Sequence, residues 1–214
     1  MTGEMRLVLD YGGTVVEHVD ESEYSQVLGD DAVVSGAGYI AYKAFSLGIL
    51  DTEQDYIDAL AALTASSTER CRAYLEERKF AADLPDGRER LLRGLAEDHR
   101  LVLFTDQVRP WVEETLEAHG IRDVFDDLVV SNDLGAEKPH PKGYVEAIGD
   151  GTVEETVMVS DELNADLTMA DYLGMTTVWV ENDHETVHAA PDYRVADLDE
   201  LPAVIDDLRG SEAR

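Results

Sequence analysis

Short apolar runs recur along the chain, and each ends where polar or glycine residues begin. They cover residues 6–9, 101–104, 156–159 and 176–180. Continuous apolar runs of this length are typical of strands buried on both faces of a parallel sheet. Helical periodicity covers residues 88–97, 111–119, 143–148, 166–173 and 201–208. Strands that alternate with helices predict an α/β fold, with a Rossmann-like parallel sheet in a three-layer core.

The alternation stops between the first and second runs. Residues 21–28, 37–47, 53–62 and 68–77 have helical patterns with no strand between them. Leu84-Pro85-Asp86-Gly87 then marks a return to the alternating pattern, because proline and glycine interrupt regular structure. We therefore predict a core domain of residues 1–15 and 81–214, and a small all-helical cap domain of residues 16–80.

The charge of the chain is strongly negative. Its 47 Asp and Glu residues against 17 Lys and Arg residues give a formal net charge of −30, dispersed along the whole length. Such a charge argues against a nucleic-acid partner, since phosphate backbones attract basic surfaces. Self-repulsion destabilises a compact chain unless concentrated salt shortens the Debye length to about 3 Å. We expect a halophilic protein, with an ordinary acidic protein as the alternative.

The apolar runs also bear on location. The longest, such as residues 176–180, are far too short to span a bilayer, and the first residues lack a basic segment followed by an apolar one. A cytoplasmic protein without membrane contact is expected, either a monomer or a homodimer. A single cysteine, Cys71, excludes an internal disulfide and a cysteine metal cluster.

Candidate chemistry begins after the first apolar run, at Asp10-Tyr11-Gly12-Gly13-Thr14. Ligands of open α/β sheets bind at the carboxyl ends of the strands. Asp10 lies at such an end and supplies a carboxylate beside a tight turn whose backbone amides can approach a phosphate. A solvated turn is the alternative for this segment taken alone.

Two further segments offer groups for a phosphate. Thr105-Asp106 ends the second run with a hydroxyl and a backbone amide that can bind phosphate oxygens, or that serve only to cap the strand. Glu137-Lys138-Pro139 places a lysine in a rigid loop, and its compact ammonium can neutralise a phosphate or a carboxylate. A solvated lysine is the common alternative.

The third run ends in acidic residues. Asp161 follows the strand, and Asp166 lies five positions later, where a helix is predicted to begin. Oxygen ligands beside a phosphate suit Mg²⁺, which takes one or two carboxylates and keeps several waters. Capping of the helix is the alternative role for Asp166.

The order and spacing of these four motifs resemble the haloacid dehalogenase superfamily, in its phosphatase-like branch with a helical cap after the first motif. The resemblance implies a Mg²⁺-dependent phosphohydrolase of small phosphorylated metabolites, in which Asp10 attacks phosphorus and forms an aspartyl-phosphate. Thr105 and Lys138 would hold and neutralise the transferring group. The implied substrate-binding residues are Gly13, Thr14, Thr105, Asp106 and Lys138, and the implied metal site comprises Asp10, the Gly12 carbonyl, Asp161 and, in support, Asp166.

Gly12 departs from the pattern of this branch, which has a second aspartate at that position. That acid protonates the leaving alkoxide and later activates the hydrolytic water. Its loss costs roughly 10²- to 10⁴-fold on the steps that need it. Sugar and glycerol phosphates should suffer most, whereas acyl and aryl phosphates have leaving groups that need no proton. Glu17, His18 and Asp20 are candidates to replace the acid.

Three other interpretations remain. A catalytically degenerate member would bind a phosphorylated ligand or a protein partner. A haloacid dehalogenase, which carries tyrosine in place of the second aspartate, would need no metal, although Asp161 and Asp166 are retained. A phosphonate hydrolase would need a lysine in the cap for a Schiff base, and Lys43 is the candidate.

Overall fold

The structure is a computed structural model that describes residues 3–18, 28, 36, 38–79, 82–182 and 190–212. A six-stranded, wholly parallel sheet forms its centre, in the order β3-β2-β1-β4-β5-β6. The strands are β1 (Arg6–Leu9), β2 (Arg100–Thr105), β3 (Asp127–Val130), β4 (Thr156–Ser160), β5 (Thr176–Val180) and β6 (Tyr193–Val195). The predicted parallel sheet is confirmed.

Nine α-helices occur in the described part of the chain. They are α1 (Tyr39–Ser46), α2 (Glu53–Thr64), α3 (Thr68–Lys79), α4 (Arg88–Ala96), α5 (Arg109–Ala118), α6 (Ser131–Leu134), α7 (Pro141–Ile148), α8 (Thr168–Leu173) and α9 (Leu201–Glu212). Short 3₁₀ helices cover Arg122–Val124 and Leu198–Glu200, and a π-helical turn covers Leu163–Leu167. None of the helices described here combines the length and apolar character needed to cross a bilayer.

The two faces of the sheet bury different clusters of side chains. Leu7 and Leu9 pack with apolar residues of α4, α5 and α9, whereas Val8 points to the opposite cluster with residues of α7 and α8. This alternation follows from the two-residue period of a strand. Because both faces are covered, the strand reads as one continuous apolar run. The expected three-layer α/β core is therefore confirmed.

Helices α1, α2 and α3 have an apolar cluster of their own. Phe45 of α1, Tyr56 of α2 and Trp111 of α5 have ring centroids 5.4 to 5.7 Å apart, so a core helix completes the cluster. Cys71 is buried in it as a free thiol. The predicted helix at 21–28 lies outside the described residues except for its last position. The division into core and cap domains stays a prediction.

Three local features differ from the sequence-based expectations. β3 and β6 were not anticipated, and the predicted helix at 166–173 begins instead with the π-helical turn. β3 has the same pattern as β1, a charged residue followed by three buried apolar residues, so its apolar run is a signal that the sequence analysis missed. β6 has three residues at the sheet edge. Such short strands are determined by pairing with their neighbours.

Candidate active site

The sheet register brings three of the motifs to one edge. Leu9 of β1 pairs with Leu103 of β2 on one side and with Val159 of β4 on the other. The next residue, Asp10, donates its backbone N–H to the carbonyl of Val159 at 2.9 Å. Thr105 and Asp161 lie at the corresponding ends of β2 and β4. All three residues are buried at the carboxyl edge of the sheet.

Lys138 joins two of the predicted acids. Its ammonium lies 2.5 Å from Oδ1 of Asp10 and 2.6 Å from Oδ2 of Asp166. The side chains are 5% exposed for Lys138, 9% for Asp10 and 1% for Asp166. The structure thus brings Lys138 together with Asp10, 128 positions away in the chain, and with Asp166, 28 positions away.

Burial and charge act against each other in this group. Burial alone would lower the pKa of Lys138, but the neighbouring carboxylates, first of all Asp10 and Asp166, hold that pKa well above its ordinary value. Burial raises the pKa of both Asp10 and Asp166, and the ammonium of Lys138 offsets only part of the rise. The ammonium is therefore firmly protonated.

Two side chains that the sequence analysis missed support Asp166. Ser160 Oγ donates to Oδ2 of Asp166 at 2.7 Å, and Tyr144 donates its hydroxyl to the Asp166 backbone carbonyl at 2.9 Å. Asp166 therefore does not act as a conventional helix cap, because its side chain faces Ser160 and Lys138. The position of Ser160, directly before Asp161 at a strand end, is the signal that could have identified it.

Asp106 orients the loop that carries Lys138. Its carboxylate accepts hydrogen bonds from the backbone N–H of Lys138 at 3.0 Å and from the hydroxyl of Ser131. The Lys138–Pro139 peptide bond is cis. The ammonium also lies 5.3 Å from the ring centroid of Phe104. Binding of phosphate by Asp106 and Thr105 stays a prediction, while the carboxylate of Asp106 has this second role.

The loop after β1 is compact. Val15 and Val16 both donate backbone N–H groups to the carbonyl of Tyr11 at 2.9 Å, and Gly13 donates to the carbonyl of Val16 at 2.8 Å. Gly13 has a φ of +75°, and a Cβ there would lie 2.6 Å from Nε2 of His18 and closer still to the Asp161 carboxylate. Only glycine fits this position without displacing its neighbours.

Asp161 has a different environment from Asp10 and Asp166. Its Oδ2 lies 2.7 Å from Nε2 of His18 and accepts from the side-chain amide of Asn182 at 3.2 Å. Its backbone N–H donates to Thr14 Oγ1 at 3.2 Å, and its carbonyl accepts from Trp179 Nε1 at 3.0 Å. The hydrogen bond to Asp161 raises the pKa of His18, although burial acts in the opposite direction.

The predicted metal ligands consequently form two groups. Asp10 and Asp166 meet at Lys138, whereas ligand atoms of His18, Asp161 and Glu162 lie within 4.8 Å of one another. The negative charges of Asp10, Asp161 and Asp166, buried together at one edge of the sheet, exceed the single positive charge of Lys138. A divalent cation held by oxygen ligands would balance the excess, so the donor set fits Mg²⁺.

Of the three candidates to replace the missing acid, the structure places one at the site. A Cβ on Gly12 would have His18 Nδ1 as its nearest neighbour, at 4.0 Å, so the imidazole borders the position of the absent aspartate. Glu17 is exposed and donates its backbone N–H to the carbonyl of Asp83 at 2.9 Å. Asp20 lies outside the described residues.

Helix α1 contacts the site from above the strand edge. Lys43 Nζ and Ser46 Oγ bind the two carboxylate oxygens of Glu137 at 2.7 and 2.6 Å. Tyr42 donates its hydroxyl to the carbonyl of Asp106 at 2.7 Å. These contacts reach the residues next to Lys138 and Thr105 in the chain. Lys43, the candidate for a Schiff base, is thus engaged in an ion pair.

Comparison with known proteins agrees with this geometry. A family model described as haloacid dehalogenase-like hydrolase matches residues 6–174. The chain is 32% identical over 143 residues to glyceraldehyde 3-phosphate phosphatase of Pyrococcus furiosus, which covers 62% of this chain and 58% of that protein. It is 30% identical over 137 residues to phosphoserine phosphatase of Thermus thermophilus, covering 62% of this chain and 55% of that protein.

The fold is shared with solved structures over nearly the whole chain. The magnesium-bound HAD-hydrolase YfnB of Bacillus subtilis has a TM-score of 0.68 at 22% identity, covering 95% of this chain and 100% of that one. The chain spans 58% and 55% of the length of the two phosphatases named above. The family model covers well over half of the chain and coincides with all four motifs. The chain therefore belongs to the haloacid dehalogenase-like hydrolases.

Proposed function

We propose that this protein is a Mg²⁺-dependent phosphohydrolase of small phosphorylated metabolites, with Asp10 as the nucleophile. The observation that carries the proposal is the buried ion pair between Asp10 and Lys138 at the carboxyl edge of the central strand. A carboxylate held in this position by a fixed cation is oriented to attack phosphorus as a nucleophile. The predicted cap domain, residues 16–80, would exclude water from the active site.

The reaction would proceed in two steps. An Asp10 carboxylate oxygen forms a bond to phosphorus, and the bond to the leaving-group oxygen breaks with its electron pair remaining on that oxygen. Lys138, the Thr105 hydroxyl and the amide of Thr14 would bind the transferring phosphoryl oxygens. Gly13 was also expected to bind substrate, but its amide donates to the carbonyl of Val16 at 2.8 Å. Water then attacks phosphorus, releases inorganic phosphate and restores the Asp10 carboxylate.

Mg²⁺ would be held by Asp10, Asp161 and the carbonyl of Gly12, with Asp166 in support, and would reduce the repulsion between carboxylate and phosphate. Asp166 and Ser160 would keep the Lys138 ammonium directed at the reacting oxygen. Asp106 would fix the backbone of the same lysine. The hydrogen bonds of Asp166, Ser160 and Asp106 support the positioning roles proposed for these three residues.

The similar proteins support the substrate class. Two of them are named for the hydrolysis of glyceraldehyde 3-phosphate and phosphoserine, both small phosphorylated metabolites. Because Gly12 offers no acid, acyl and aryl phosphates are the favoured substrates of this chain. The same glycine favours a second candidate function, namely binding of a phosphorylated ligand or protein partner without turnover. Metal-free dehalogenation would instead release halide and needs no Mg²⁺.

The composition adds a condition to the proposal. A net charge of −30 supports activity in concentrated salt and argues against a nucleic-acid partner. The cytoplasmic location and the monomeric or homodimeric state stay predictions. Stability that rises as KCl increases from about 0.1 to 1 M would support this condition, because salt screens the surface repulsion.

Phosphatase activity tests the proposal directly. p-Nitrophenyl phosphate and acetyl phosphate are offered in molar KCl with Mg²⁺ to the wild type, Asp10→Asn and Gly12→Asp. Asp171→Asn, which removes an exposed carboxylate on α8, is the matched control. We expect turnover in the wild type and control and none in Asp10→Asn. We expect a further gain in Gly12→Asp, because the restored aspartate can activate the hydrolytic water.

The same series separates the alternatives. If folded wild type and folded Gly12→Asp both fail to hydrolyse either compound, the phosphohydrolase proposal is wrong. Tight binding of beryllium fluoride without turnover would then favour the binding function. Halide release from a 2-haloacid in the presence of a chelator would favour dehalogenation.

A further inference from the structure

We infer that His18 is a ligand of the metal ion in this site, so that an imidazole nitrogen and the Asp161 carboxylate hold the ion together. The site would then bind Mn²⁺ more tightly than Mg²⁺. The inference rests on the proposed active site and adds a ligand and an ion preference to it. It is independent of how Asp10 reacts.

The positions of the donor atoms fit a shared ion. His18 Nε2 and Asp161 Oδ2 are 2.7 Å apart, and a carboxylate oxygen of Glu162 completes a group within 4.8 Å. Neighbouring ligands of an octahedral ion with bonds of about 2.1 Å lie roughly 3 Å apart. The imidazole and the carboxylate, which share a proton in their hydrogen bond, are therefore close to the spacing of two adjacent ligands. An ion that binds both atoms would displace this proton to solvent.

Charge supplies a second and separate argument. The Asp161 side chain is 2% exposed, and His18 is its single ion-pair partner among the residues described by the structure. Asp10 and Asp166, in contrast, share the ammonium of Lys138. A buried carboxylate without a fixed cation is costly, and a bound divalent ion would supply the missing charge.

The two glycines explain why an imidazole can reach this carboxylate. A side chain at Gly13 would occupy the space between His18 and Asp161, with its Cβ 2.6 Å from Nε2. At Gly12, the nearest atom to a Cβ would be His18 Nδ1 at 4.0 Å. The aspartate that this position lacks would extend toward the ring. Loss of that aspartate thus leaves room for His18 at the metal site.

Imidazole changes which ions the site prefers. Mg²⁺ favours oxygen ligands and retains its waters, whereas first-row transition ions accept imidazole nitrogen readily. The His18 side chain is 58% exposed, so ions can reach it from solvent. We therefore expect His18 to contribute more to the affinity for Mn²⁺ than to the affinity for Mg²⁺.

The test is a spectroscopic and binding comparison on the full chain. Electron spin-echo envelope modulation of bound Mn²⁺ should show coupling to an imidazole ¹⁴N in the wild type. The coupling should disappear in His18→Asn and persist in the control His140→Asn. His140 is exposed and caps the N-terminus of α7, a role that asparagine can also perform. Calorimetry should show that His18→Asn lowers the affinity for Mn²⁺ at least about tenfold and the affinity for Mg²⁺ much less.

The outcomes separate this inference from the proposed function. Absence of ¹⁴N coupling in the wild type, its persistence in His18→Asn, or equal losses for both ions would overturn the inference. Turnover that depends on Asp10 in the same preparation would leave the phosphohydrolase intact. Conversely, ¹⁴N coupling without turnover would support the inference and contradict the proposed activity. Circular dichroism of each variant checks that it is folded.

Discussion

The two halves of the acidic site are built differently. On one side, Asp10 and Asp166 share the buried ammonium of Lys138, which the chain provides permanently. On the other side, Asp161 is equally buried but faces His18 and a side-chain amide. A fixed cation of the protein itself stabilises the first half, and the proposed metal ion would stabilise the second. We therefore expect the nucleophile side, that of Asp10, to be preorganised, and the metal side, that of Asp161, to be completed when an ion binds.

The largest change in stability is expected when the fixed cation, the ammonium of Lys138, is removed. Lys138→Met leaves two buried carboxylates without their partner and should lower the free energy of unfolding by about 3 to 5 kcal/mol. Asp161→Asn removes a buried charge that lacks a fixed partner, and without divalent ions it should cost less than about 1 kcal/mol. Urea unfolding with a chelator in molar KCl measures both. Equal losses in the two variants would show that the halves do not differ.

The next effect concerns the loop between the halves. Gly13→Ala places a side chain at a φ of +75° and against Asp161 and His18, and should destabilise the protein by at least about 2 kcal/mol. It should also weaken Mn²⁺ binding. Gly12→Ala is the matched control, because its Cβ would meet only His18 Nδ1, at an ordinary contact distance of 4.0 Å, and its φ lies outside the left-handed region. Urea unfolding and calorimetry of both variants measure these effects. Unchanged stability and unchanged Mn²⁺ affinity in Gly13→Ala would contradict the described loop.

A smaller effect is expected where α1 contacts the nucleophile side. Glu137→Gln keeps an acceptor for Ser46 but removes the charge that faces Lys43, whose side chain is 30% exposed. The loss should be about 1 kcal/mol or less, since partly exposed pairs contribute little. If α1 covers the site during the reaction, KM should rise more than kcat falls. Steady-state kinetics with acetyl phosphate tests this, and a change in kcat alone would oppose it.

The smallest effect lies far from the site, in a histidine whose environment is opposite to that of His18. Burial lowers the pKa of His99, and the neighbouring Arg209 lowers it further. Its Nδ1 accepts the backbone N–H of Met5 at 3.2 Å. Because the pKa of His99 is lower in the folded protein than in the unfolded chain, where it is near 6.5, its contribution to stability is complete above pH 6.5. This contribution is lost as the pH falls toward the folded pKa. His99→Gln should flatten that acid-side decline in urea unfolding curves, and an unchanged slope would rule out this source.

The fold was largely predictable because strands buried on both faces leave continuous apolar runs. Four of the six strands follow from such runs, including the one that positions Asp10. β3 has such a run and was overlooked. β6, with three residues at the sheet edge, lacks the signal, because pairing with β5 decides its conformation. Helix boundaries moved by a few residues, as at α5, which starts at Arg109 instead of 111.

The meeting of the predicted residues at one sheet edge could be anticipated from the sequence, whereas their contacts could not. Strand ends identified Asp10, Thr105 and Asp161, since parallel strands share one carboxyl edge. Partners could not be inferred, because they depend on side-chain directions across the fold. The sequence alone does not show that Lys138 joins Asp10 to Asp166, or that His18 reaches a carboxylate 143 positions away. Both contacts depend on how distant parts of the chain pack together in the fold.

The most direct test of the central claim is to locate the transferred phosphoryl group. Wild type is mixed with acetyl phosphate and Mg²⁺ in molar KCl, quenched in acid, and mapped by peptide mass spectrometry. The account predicts a phosphorylated peptide modified at Asp10, with no such peptide from Asp10→Asn. Rapid consumption of acetyl phosphate with no label at Asp10, or with the label on another residue, would contradict it.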